Sequence, residues 1–149
     1  MIALLAFLPL VVPWQDQISP GAAQEAFGEY EEAALADGGE LWGRELLGPM
    51  LFADRGTRAV LANQPDEQGK LVERDGIFVG TLPLEVGIAN TALDWAGVRW
   101  TMVMWPLPAE KFSRVTLLMH EAFHRVQPTF AHAGGSELSP HLDQEAGRV

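Results

Sequence analysis

Cysteine is absent from this chain of 149 residues. Its absence excludes disulfides, thiolate nucleophiles, thiolate zinc sites and a lipid anchor on an N-terminal Cys. Basic residues are scarce: ten Lys and Arg stand against twenty Asp and Glu, for a formal charge of −10. No Lys/Arg cluster exists to release counterions from a phosphate backbone, which argues against nucleic acid as a partner. The same balance argues against electrostatic docking on an anionic membrane. Tyrosine occurs once, at Tyr30, and no internal repeat or low-complexity tract is present. What is there is ordinary for a folded chain, with 48% hydrophobic and 20% charged residues, and the length favours one domain. Without thiols, any metal site has to be built from His, Asp and Glu.

Residues 1–12 are almost unbroken apolar residues, followed by Pro13 and Trp14. A bilayer-spanning helix needs about 20 apolar residues, so this run is too short to cross a membrane. It suits the hydrophobic region of a secretory signal over residues 1–23, with Ala22 or Ala23 at a small-residue cleavage site. The first basic residue is Arg44, so the usual basic n-region is missing. The competing reading is a buried N-terminal strand or helix. The signal reading predicts a secreted or periplasmic protein with no membrane insertion once the signal is removed.

Downstream, Phe27, Tyr30 and Ala34 recur at helical spacing among acidic residues, which predicts an amphipathic helix over 24–36 stopped by Gly38-Gly39. Short apolar or alternating runs at 50–53, 58–62, 71–74 and 77–80 predict strands. Asp75-Gly76 between the last two is a two-residue hairpin signal. A further strand is predicted over 98–105, ending at Pro106. Then Phe112, Val115, Leu118, Ala122, Phe123 and Val126 mark a helix, with Pro108 in its first turn, Glu110 just behind, and Pro128 as its stop. The stretch 140–149 reads as the opening of another helix, and the chain stops about one turn after Glu145. An incomplete C-terminal helical part, and with it an exposed apolar patch, is therefore expected.

Residues 120–124 read His-Glu-Ala-Phe-His. Imidazoles at i and i+4 leave one helical face close enough to chelate one ion, and zinc accepts neutral imidazole nitrogen. Between them, Glu121 can reach a zinc-activated water, take its proton as that water attacks a carbonyl, and pass it to the leaving amine. The alternative is a pair of ordinary histidines hydrogen-bonded to their neighbours. A metzincin would need His ten residues after His120, where this chain has Phe130. Candidates for the third ligand are His132, His141, Asp143 and Glu145. Glu145 is preferred because it follows His124 by 21 residues, close to the gluzincin separation. Asp143 has a second possible role, orienting a ligand imidazole through its free N–H.

From residue 41 onward the chain resembles a set of uncharacterised bacterial zincin-like proteins with N-terminal signals. The resemblance is carried by residues 41–44, 48–52, 62–65, 75–80, 88–92 and 95–108, by His-Glu-Ala-Phe-His-Arg-Val-Gln-Pro at 120–128, and by His-Leu-Asp-Gln-Glu-Ala-Gly-Arg at 141–148. Ala146 stands where that family has Gly. The resemblance implies a gluzincin-type zinc site with Glu145 as third ligand, and a long helical region beyond it.

These readings converge on an α+β domain over 24–149. A small mixed or antiparallel sheet with hairpins packs on the His-Glu-x-x-His helix. The predicted activity is zinc-dependent hydrolysis of a peptide or protein substrate, with His120, His124 and Glu145 on Zn2+ and Glu121 as general base. Two other readings stand beside it: a zincin-like remnant that binds metal or a partner without turnover, and a small β-rich binding module with a fortuitous motif. In zincins generally the strand before the metal helix lies at a sheet edge and pairs with substrate, which places 98–105 at an edge. Trp100 and Trp105 are candidate cleft residues, though aromatics on a strand more often belong to the core. Tyr30, Arg125, His132 and His141 are the donors to be considered for the oxyanion.

Overall fold

The computed structural model describes residues 18–130. Helix α1, Pro20–Asp37, starts one turn earlier than its apolar periodicity predicts. The reason lies at its cap: the Ser19 side chain accepts from the Ala22 amide, and Pro20 occupies the first turn, where a missing N–H costs nothing. Gly38 closes the helix in the left-handed region (φ 53°), its N–H returning to the Ala34 carbonyl. The expected cleavage positions Ala22 and Ala23 thus lie inside α1, and Ala23 is fully buried.

Six strands follow: β1 Met50–Asp54, β2 Ala59–Ala62, β3 Val72–Arg74, β4 Ile77–Thr81, β5 Thr91–Trp95 and β6 Val98–Trp105. They form one sheet in the order β3-β4-β2-β1-β6-β5. The β1–β6 pair is parallel and the other pairs are antiparallel, so the sheet is mixed, as expected. Asp75 and Gly76 both take positive φ (52° and 83°), the condition for the tight hairpin predicted there. Ala96-Gly97 repeats the device (52° and 82°) and joins β5 to β6. That strand pair corrects one expectation. β6 is interior, between β1 and β5, and the sheet edge on this side is β5.

Helix α2, Lys111–Val126, by contrast starts later than Pro108 suggests. Glu110 is its cap residue: the carboxylate accepts from the Phe112 and Ser113 amides at 2.8 and 2.7 Å, satisfying orphan donors that Pro108 cannot reach. A short 3-10 turn, Gln127–Thr129, carries Pro128 and ends the helix. The face of the sheet bearing Met50, Phe52 and Val103 packs on both helices, where Phe27 stacks on Phe52 at 4.3 Å and Leu118 and Ala122 are fully buried. The opposite face buries Leu51, Val60, Trp100 and Met102 beneath Leu71 and Leu82. Phe112, expected on the core face of α2, is 78% exposed because it falls in the first turn, ahead of the sheet. Among the described residues, no helix is long and apolar enough to cross a membrane.

Candidate metal centre

The histidine pair sits in the last two turns of α2, the helix laid against β6 and β5. His120 is exposed and His124 half-buried. Their rings meet edge to face with centroids 4.5 Å apart, and the two Nε2 atoms approach to 3.0 Å. Helical spacing alone brings the rings to one face; the rotamers turn both nitrogens toward one point. Two nitrogens at that separation can share one ion at the usual zinc–nitrogen distance of about 2.0–2.1 Å.

Glu121 lies between them in the chain and is 6% exposed. Its Oε2 is buried with no hydrogen-bond partner among the described residues. Burying a carboxylate oxygen without a donor is costly, and such an oxygen in a native chain calls for a ligand, a proton or an ion to complete it. Convergent imidazoles, with a carboxylate unsatisfied among the described residues next to the first of them in the chain, fit the donor chemistry of zinc. Among the described residues no group of three His, Asp or Glu gathers. Glu145, Asp143, His141 and His132, the candidates for the third ligand, lie outside the described residues.

Arg125, next in the chain, fastens this helix to the sheet. Its guanidinium donates to the Leu46 carbonyl at 2.8 Å and the Leu47 carbonyl at 3.4 Å, and its Nε donates to Thr101 Oγ1 on β6 at 3.2 Å. Room for it comes from Gly48, where a Cβ would overlap the guanidinium. From β6, Arg99 reaches the Arg125 carbonyl at 3.3 Å. Tyr30 is fully buried and donates to the same Leu46 carbonyl at 2.5 Å, and burial pushes its phenol above the ordinary value. Both oxyanion candidates within the described residues are therefore committed to holding the fold, and neither is presented to the histidines.

The two candidate cleft tryptophans, Trp100 and Trp105, belong to the core. Trp100 is fully buried on the face away from α2, its Nε1 donating to the Trp95 carbonyl at 3.0 Å. Trp105 packs on the helix-side core, 6.0 Å from Phe52. It also lines a cavity with Pro108 and Arg114, near the start of α2 and away from the histidines. On the flank of α2, Phe123 packs against Trp42 and Phe130, and Arg44 covers the Phe130 ring.

One contact was missed by sequence reasoning. Gln127 Oε1 meets His124 Nδ1 at 2.9 Å. The signal was available: 120, 124 and 127 follow the i, i+4, i+7 stripe of one helical face. No family model, no curated protein and no solved structure matches this chain.

Proposed function

We propose that the chain is a zinc-dependent metallopeptidase of the zincin type, with a gluzincin-type site. His120 and His124 would hold the metal, with Glu145 as third ligand. The observation that carries this reading is the 3.0 Å approach of the two Nε2 atoms on one helical face; it is supported by the buried Glu121 oxygen, which has no partner among the described residues. Zinc, when bound, supplies Lewis-acid polarisation of a water and of the scissile carbonyl. Glu121 takes the proton from the attacking water and delivers it to the departing amine nitrogen. The substrate chain would pair along β5, the sheet edge on the side of α2, in place of the interior β6. The N-terminal apolar segment favours export of this activity to the periplasm or the outside.

A second reading is a chain that binds metal without turnover. It is favoured by the commitment of Arg125 and Tyr30 to the Leu46 carbonyl, which leaves no named oxyanion donor among the described residues. Elemental analysis of chain purified without chelator tests the first half of the proposal: about one zinc per chain is expected, lost in His120→Ala. Glu121→Gln separates the two readings. Loss of hydrolysis with zinc retained supports the peptidase, and no hydrolysis in the unaltered zinc-bound chain supports the inactive binder. A fortuitous motif would hold no zinc in any variant.

A further inference from the structure

A histidine binds metal through one nitrogen only when the proton resides on the other, so whatever touches the far nitrogen decides whether the ring is ready. For His124 that group is the Gln127 carboxamide oxygen, 2.9 Å from Nδ1. An amide oxygen only accepts, so the contact requires a proton on Nδ1. The Nε2 lone pair is then left facing His120 Nε2 at 3.0 Å. We infer that Gln127 is a positioning residue for the metal centre: it holds His124 as the Nδ1–H tautomer and fixes the direction of its Nε2 lone pair. This inference rests on the metal-centre reading for its purpose, but the tautomer itself can be measured without metal.

The local fold explains how an exposed Gln holds one place. Gln127 is the C-cap of α2, and its N–H still bonds the Phe123 carbonyl. The residues after it turn into the 3-10 segment, where the Thr129 hydroxyl bonds the Val126 carbonyl at 2.7 Å and the Phe130 amide bonds the Gln127 carbonyl at 3.0 Å. The Gln127 backbone is thus tied from both sides, which fixes the point from which its side chain reaches back one turn to His124. Sequence reasoning placed this orienting role on Asp143; within the described residues, Gln127 occupies it.

The test uses the full chain with 15N-labelled histidine, free of metal and at mildly alkaline pH, where imidazoles are neutral. The imidazole nitrogen shifts should show His124 protonated at Nδ1 and bare at Nε2. Gln127→Ala should lose that preference and mix the two tautomers. Gln127→Glu, a stronger acceptor of similar length, should keep it. In a competition titration with a chromophoric chelator, Gln127→Ala should weaken zinc binding about 10–100-fold, and Gln127→Glu should restore it. Protonation of His124 at Nε2 in the unaltered chain would overturn the inference. So would a Gln127→Ala variant with unchanged tautomer and unchanged zinc affinity. Failure of the metal reading gives a different pattern: no zinc taken up by any form, with the Nδ1 proton still present and still dependent on Gln127.

Discussion

The sharpest tension in the molecule is at one residue. Glu121 buries an oxygen that nothing in the described chain completes, a cost the fold carries at the position where the proposed chemistry needs a base. Replacing it with Gln keeps the shape and removes the charge. Glu121→Gln should therefore melt at or above the temperature of the unaltered chain while any hydrolysis falls by about two to four orders of magnitude. A clear drop in melting temperature would show that the carboxylate is a structural requirement instead. Arg125 presents the opposite case. Its donors hold three acceptors on two segments, and Leu46 keeps Tyr30 when Arg125 is removed. Arg125→Met should cost about 1–3 kcal/mol in chemical denaturation, mostly from Thr101 and the loosened helix end. Gly48→Ala should cost a similar amount, about 1–3 kcal/mol, because the guanidinium has to move to admit a methyl.

Between residue and fold, the elements show which signals travel through sequence. The β3–β4 hairpin was legible because Asp75-Gly76 supplies two residues that tolerate positive φ, and alternation supplies the flanks. Gly76→Ala should destabilise by about 1–2 kcal/mol, since an L side chain is strained in that region, and a melting curve would show it. β5 was not legible: Ala96 takes the same backbone shape without being a residue that advertises it, and Thr91–Trp95 shows only weak alternation. The beginning of α2 was misplaced because Pro108 is an acceptable first-turn residue in isolation. Glu110 takes over as cap because its carboxylate reaches two amides at once, a choice visible only when the backbone is built. The candidate site was the most legible part, since a helix fixes i and i+4 neighbours by its own geometry. Its second contact, Gln127, needed the helix end to be located before it could be read.

At the scale of the whole molecule, the two helices are clasped by Glu29 of α1 and Arg114 of α2, which share two hydrogen bonds of 2.7 and 2.8 Å. Their side chains are only 9% and 15% exposed. The Arg114 hydrogen bonds hold the Glu29 carboxyl below the ordinary 4.5, and the amides at the start of α2 do the same for Glu110. Both groups are more acidic folded than unfolded. Their contribution is complete above the unfolded value and is lost as pH falls through the lowered folded value. Denaturant midpoints should thus begin to fall as pH drops through the ordinary carboxylate value of 4.5 and continue to fall below it. The double variant Glu29→Gln, Glu110→Gln should start less stable at neutral pH and show a shallower decline. A decline as steep as that of the unaltered chain would place the acid sensitivity elsewhere.

By itself the sequence determined what short-range physics controls: two helices and their stops, five strands with one tight turn, two imidazoles on one helical face, and the absence of any thiol or Lys/Arg cluster. Tertiary structure decided whatever depends on partners distant in the chain. It placed β1 parallel to β6 and moved the open edge to β5, because strand order is set by which faces can be buried together and not by local pattern. It also turned Arg125 and Tyr30 from candidate catalytic donors into fastenings on one carbonyl, 79 and 16 residues away in the chain. A buried carbonyl must find a donor, and the fold alone determines which donors are within reach.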